Sequence, residues 1–455
     1  MSNRTLLFFC AVCLLVGQQQ RRARPGNEVF RTDVPAHRYD LTLARPTANS
    51  VTATVLAYEP LEAFVEYDGR RSESLSLSSG EPASFALAGL RANQPYTYRL
   101  RFRSRPAGAW ETSPAYSFHT QRAPGSAFTF VVQADSHLDA PVSPQGYEKA
   151  LAWMRAANPD FLIDLGDTFM VDKRRTDFRQ ALPQYLAQRY YFGLLCHSVP
   201  LFLALGNHDG EGGARHDGTR NSMAAWSLAL RKRYFPNPRP DAFYSGNETP
   251  DSLLGPLENY YAWQWGDALF VVLDPYWATV GRGRGGNWHW TLGDAQYRWL
   301  ARTLSATKAA HRFVFLHHPT GAKGQPVRGG VAAALYNEWG GRNEDGSDAF
   351  RARRPGWEMP VHALLAKHKV AAVFHGHDHM YAREELDGVV YQLVPQPGNV
   401  RAGIPRNAGE YGYTSGTVLG GAGHVRVRLD GQRALVEYVL TDTGKVAHSY
   451  TIGRR

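Results

Sequence analysis

The sequence predicts an α/β domain, two mixed sheets flanked by helices, preceded by an all-β sandwich. Three observations carry this. Residues 34–120 are short alternating runs broken by turn residues, with no helical period. After a Pro, Gly and Ser linker at residues 122–127, apolar β-rich runs alternate with helical stretches, the pattern of strands joined by crossover helices. Near residue 424 the strand alternation returns.

Taken in order, the sandwich is carried by SVTATVLAY, AFVEYDG, ASFALAGL and YTYRLRFRS. The α/β part then runs FTFVV, a helix near residues 147–157, FLIDL, a helix within 176–195, and PLFLAL. ALFVVLD follows, then a helix at 294–305 on which Tyr297, Leu300 and Leu304 recur at helical spacing, FVFL, a helix near 360–368, and VAAVF. Crossover helices imply mostly parallel strands. HVRVRLDG, ALVEYVLTDTG and VAHSYTI read as antiparallel strands completing a second sheet. Two irregular stretches, 210–259 and 321–355, interrupt the pattern, and loops of that kind usually carry specificity.

A chain of 455 residues, 43% of them hydrophobic, suffices for roughly two or three domains with full cores. Its 44 Gly and 27 Pro are dispersed, which excludes collagen-like and low-complexity proteins. The net charge of +10 favours anionic ligands, but no Lys/Arg block resembles a nucleic-acid arm, so no nucleic-acid partner is expected. Met1 and Arg4 lead into an apolar run at residues 6–16, followed by Gly17 and QQQRRARPG, the pattern of a secretory signal peptide over residues 1–24. Arg21, Arg22 and Arg24 stand against this, since positive charge after the run opposes export. The run falls short of the about 20 apolar residues of a membrane span, so an exported mature chain, periplasmic or extracellular, without an integral span is expected. Cys10 and Cys13 lie in the leader, which leaves Cys196 without a disulfide partner, and its apolar context reads as an inert buried thiol.

Five apolar runs end in metal-ligand residue types. VVQADSH carries Asp135 and His137, LIDLGD carries Asp167, LALGNHD carries Asn207 and His208, VFLHHP carries His317, and VFHGHDH carries His377 and His379. The carboxyl ends of parallel strands share one rim, so residues far apart in sequence meet there. Carboxylate, amide and imidazole donors without Cys suit Mn, Zn or Fe rather than calcium. Two ions about 3.5–4 Å apart need a shared ligand, and a carboxylate has the lone pairs to bridge. Asp167, at a Gly-marked turn, is the candidate. Singly the motifs are weak, because Asn207 with Asp209 also suits a turn and His317 with His318 a core pair.

The ordered set D-x-H, G-D, G-N-H-D, H, G-H-x-H is similar to that of the calcineurin-like metallophosphoesterase superfamily. LAGLRANQPYTYRLRF, ending in AYSFHT, resembles the fibronectin type III-like domain in front of the catalytic domain in purple acid phosphatases. The resemblance thus covers a fibronectin III-like sandwich at 33–121 and a metallophosphoesterase domain at 126–455 that includes the C-terminal antiparallel strands. It implies Asp135, His137, Asp167 and His379 around one metal, and Asp167, Asn207, His317 and His377 around the other. His208 would be the family's non-ligand histidine that reaches the leaving group, with Asp209 orienting it. His318 and His375 match no family ligand; Arg215, His216 and Arg220, in the first irregular loop, are candidates for substrate contact, with a solvated loop as the preferred reading.

The activity so implied is hydrolysis of a small phosphorylated substrate, a phosphate monoester, by a hydroxide bridging two metal ions, with His208 as general acid. A phosphodiesterase would use the same donors and differ in its loops. A secreted binding protein with a retired catalytic domain is the reading from another class, and the filled ligand positions argue against it. Purple acid phosphatases carry a Tyr three residues after the bridging Asp, where this chain has Met170. A divalent, colourless metal pair is therefore expected, with His137 in place of an anionic oxygen.

Overall fold

The computed structural model describes residues 29–105, 108–174, 177–280, 286–319, 327–399, 402 and 408–454. The leader assigned to residues 1–24 lies outside the described residues. The N-terminal part is all β. Tyr39–Ala44, Ser50–Ala57 and Pro82–Ala88 form one antiparallel sheet, and Leu61–Tyr67 and Pro95–Ser104 are the centre of a second. In Pro95–Ser104 the residues Tyr96, Tyr98, Leu100 and Phe102 point inward, the alternation of a strand with one solvated face. Both sheets close over one core that includes Leu43, Val55, Val65 and Leu87.

Tyr39–Ala44 is buried almost throughout, because its outer face receives the helix Leu182–Cys196 of the α/β part. Arg189 of that helix is wholly buried at the junction, where its guanidinium donates to Thr42 Oγ1, Asp40 O, Thr54 O and Tyr234 O. Buried carbonyls stripped of their donor cost about 1–3 kcal/mol each. Because Asp40 and Thr54 also sit in the ladder between Tyr39–Ala44 and Ser50–Ala57, Arg189→Met is expected to lower stability by about 1–3 kcal/mol, measured by denaturant unfolding.

The α/β part is built from two sheets packed face to face. The first runs Leu201–Leu203, Phe161–Asp164, Phe128–Gln133, Gly423–Leu429, Arg433–Leu440 and Val446–Gly453, the first three parallel and the rest antiparallel. The C-terminal strands, expected in a second sheet, instead extend the sheet begun by Phe128, by antiparallel pairing with it. The second sheet has Ala268–Val272, His311–Phe315, Ala372–His375 and Val389–Leu393 in parallel at its centre. Antiparallel neighbours flank them, Tyr261–Trp265 on one side and Tyr381–Leu386 on the other.

Alternation explains why these strands read as continuous apolar runs. Phe130 and Val132 enter the core between the sheets with Phe270, Phe313, Phe315 and Phe374, whereas Val131 faces the helices Pro144–Ala156 and Leu182–Cys196. On the far side, Val271, Val314 and Val373 meet Leu300 of the helix Gly293–Ala306 and Leu364 of the helix Val361–Lys367. Both faces of each central strand are covered, so neither can be polar. The helix expected from residue 147 starts at Pro144, because the Ser143 hydroxyl caps the Gly146 amide and proline suits the first turn. The stretch 210–259 is less irregular than expected, since Ser222 caps a helix at Met223–Tyr234.

Candidate metal centre

The carboxyl ends of five parallel strands converge at one rim. Phe128–Gln133 delivers Asp135 and His137, Phe161–Asp164 delivers Asp167, and Leu201–Leu203 delivers Asn207 and His208. From the second sheet, His311–Phe315 delivers His317, and Ala372–His375 delivers His377 and His379. Asp135, Asp167, His137, His377 and His379 all have left-handed backbone, with φ from 33° to 82°. Non-glycine residues adopt this conformation at a cost, and such strain concentrates where geometry serves a site. Gly166 and Gly206 let the chains touch: a Cβ on Gly166 would lie 2.3 Å from the Gly206 nitrogen, and one on Gly206 would lie 2.0 Å from the Asp167 nitrogen.

Two donor groups result. Asp135, His137 and His379 form one, with Asp135 Oδ1 at 3.6 Å from His137 Nε2 and 3.4 Å from His379 Nε2. Asp167, His317 and His377 form the other, with His317 Nε2 at 3.2 Å from Asp167 Oδ2 and 3.3 Å from His377 Nδ1. The Asn207 amide oxygen joins the second group at 3.1 Å from His317 Nε2. Asp167 stands between them, its Oδ2 also 3.8 Å from His137 Nε2. The seven residues nominated as metal ligands are therefore brought together.

The protein holds these donors from behind. Asp135 Oδ2 accepts from the His377 amide at 2.9 Å, Asp167 Oδ1 from the His208 amide at 2.8 Å, and His317 Nδ1 faces Leu165 O at 2.9 Å. Gln184 of the helix Leu182–Cys196 bonds His137 O and Thr168 O, and Gln188 bonds Ser136 Oγ and Thr168 O. Burial would raise both carboxyls, but the surrounding imidazoles, His379 first for Asp135 and His317 first for Asp167, hold them well below the carboxylate range. Burial likewise lowers His317, yet Asp167 and Asp135 bring it up to about 9. Asp135 Oδ1 and His137 Nε2 are buried without hydrogen-bond partners among the described residues. Carboxylates kept ionised, imidazoles pressed against them and unpartnered atoms facing inward fit a pair of cations.

His208 is half-buried beside this cluster, its Nε2 3.9 Å from Asp167 Oδ2. Its orientation comes from a residue the sequence motif did not indicate. Asp172 Oδ1 bonds His208 Nδ1 at 2.8 Å, and Asp172 Oδ2 accepts from Arg215 Nη2 at 2.7 Å. Arg215 also donates to Asn207 O at 2.9 Å, so it belongs to the site rather than to a solvated loop. The expectation for Asp209 is corrected. Its carboxylate accepts from the amides of Asp167, Thr168, Phe169 and Gly206 at 2.7–3.0 Å, which locks the turn that presents Asp167 and leaves nothing for His208.

Of the remaining nominated residues, Arg220 is exposed and the His216 ring packs near Trp277. His318 lies against His377 and is brought down to about 3 by burial, while His375 is buried and brought down to about 4. Met170 is buried in the core, and Cys196 is a free buried thiol raised by burial. Among the described residues, no helix is long and apolar enough to cross a membrane.

Comparison with known proteins agrees with this geometry. The model of the family described as calcineurin-like phosphoesterase matches residues 128–381. Among curated proteins, none matches the chain. The solved structure of PhoD is similar over 93% of this chain and 92% of its own, with a TM-score of 0.64 at 14% identity. The purple acid phosphatase PPD1 from yellow lupin (Lupinus luteus) seeds is similar over 91% of this chain and 74% of its own, with a TM-score of 0.57 at 18% identity. At such identities the likeness speaks for the fold, and its coverage takes in the sandwich as well as the α/β part. With a family match across more than half its length that contains the donor-bearing strand ends, the chain belongs to the calcineurin-like phosphoesterases, metal-dependent hydrolases of phosphoric esters.

Proposed function

We propose that the protein is an exported phosphomonoesterase with two divalent ions of Mn, Zn or Fe. The observation that carries this is the pair of donor groups, Asp135, His137 and His379 beside Asp167, His317 and His377, with a histidine held next to them by a carboxylate. Export is supported by the apolar run at residues 6–16. The pattern of sheets supports a division into a sandwich at 33–121 and a catalytic domain at 126–455.

Bound divalent ions supply charge for phosphoryl oxygens and an acidified water. Asp167 would be the ligand shared by the two ions, and Asn207 would offer its amide oxygen to the second group. His208 donates Nδ1–H to the Asp172 carboxylate, which fixes the ring, and as the imidazolium it gives its Nε2 proton to the departing alkoxide. Arg215 holds Asp172 and brings positive charge beside the centre, which suits the dianion of a monoester. Arg328, whose Nε bonds Asp378 at 2.8 Å between the histidines 377 and 379, adds more.

Asp172→Asn is expected to slow hydrolysis about 10- to 100-fold with metal content unchanged, measured by initial rates and metal analysis on the same sample. With Met170 after the bridging Asp, the metal-loaded protein is expected to be colourless, and an absorption spectrum checks it. The test of the function is the pair of initial rates on an aryl phosphomonoester and the matching diester, with manganese and with a chelator. Faster, chelator-sensitive cleavage of the monoester supports the proposal. Faster cleavage of the diester would make the protein a diesterase, and bound metal without hydrolysis of either would make it a binding protein.

A further inference from the structure

A sixth parallel strand ends at the same rim. Ala268–Val272 pairs in parallel with His311–Phe315, the strand that delivers His317, and what it delivers is Tyr276. Asp274 turns the chain there: its Oδ1 accepts from the amides of Tyr276 at 2.8 Å and Trp277 at 3.3 Å, and its Oδ2 accepts from Asn259 Nδ2 at 2.6 Å. The Tyr276 carbonyl accepts from the Gly213 amide at 3.2 Å, which ties this turn to the loop carrying Arg215.

The ring of Tyr276 lies 6.4 Å from that of His317 and 6.0 Å from that of Trp290. The residue is 6% exposed, and its hydroxyl has no hydrogen-bond partner among the described residues. Buried hydroxyls are normally paired, so an unpaired one on a strand end that serves the reaction asks for a ligand atom. A tyrosine hydroxyl, ordinarily protonated to about pH 10, is a donor across the neutral range. A phosphoryl oxygen is the matching acceptor.

We propose that the Tyr276 hydroxyl donates a hydrogen bond to a phosphoryl oxygen of the substrate, an inference that rests on the site being a phosphoesterase centre. Tyr276→Phe removes one unpaired oxygen and keeps the ring, so the variant should fold. The test is calorimetric titration of inorganic phosphate into the manganese-loaded full chain and the loaded variant, with manganese content measured in both. The expected result is phosphate binding weaker by about tenfold or more at equal manganese content. Equal phosphate affinity would overturn the proposal, and so would loss of manganese, which would make Tyr276 a support of the ion site. A parent chain that holds manganese but binds no phosphate would overturn the underlying reading of the site, and the inference with it.

Discussion

Asp167→Asn is expected to abolish binding of both ions and to lower hydrolysis by about 10³-fold or more, since the charge stabilisation that metals supply is worth several kcal/mol and each 1.4 kcal/mol is tenfold in rate. The reason is position. Asp167 Oδ2 lies 3.2 Å from His317 Nε2 in one donor group and 3.8 Å from His137 Nε2 in the other, so this carboxylate stands where an ion in either group would meet it. An amide there keeps the volume but removes the charge and presents N–H groups where cations would sit. The fold should survive, because the backbone turn at Asp167 is locked by Asp209 through four amides. Metal analysis after dialysis and initial rates check the result, with circular dichroism as the control for folding. Retention of two ions would show that Asp167 does not bridge.

His208→Ala separates chemistry from metal binding. Its expected result is a loss of about 10²–10⁴-fold in rate at unchanged metal content. His208 belongs to neither donor group, yet its Nε2 is 3.9 Å from the shared carboxylate and its Nδ1 is held by Asp172 at 2.8 Å. A proton donor matters in proportion to the basicity of the leaving group, so the loss should be large for an alkyl phosphate and small for a nitrophenyl phosphate. Equal losses on both would assign His208 to substrate binding instead. Full activity on the alkyl ester would remove it from the reaction.

The donors gathered at the rim were legible because each follows an apolar strand, and the strands were legible because both their faces are covered. What escaped had physical reasons. Asp172 reaches His208, and Arg215 reaches Asp172, through the folding of two loops, which no local pattern announces. Adjacency in G-N-H-D suggested that Asp209 serves His208, but its carboxylate is drawn away by the unpaired amides of the Gly166 to Phe169 turn. Two hairpins did carry a readable signal. Gly266 with Asp267, and Asp387 with Gly388, are two-residue turns joining antiparallel strands, and Asp387 and Gly388 both have the positive φ that such turns require. Tyr276 escaped because its strand ends in no metal-ligand motif, and its unpaired hydroxyl is visible in three dimensions alone.

The central claim is a reaction that needs two ions on these donors. The most direct measurement strips the protein with a chelator, then adds manganese in steps while recording initial rates on an aryl phosphomonoester. Activity absent without metal and saturating at two ions per chain is the result expected. Undiminished activity after stripping, or saturation at a single ion, would contradict the account.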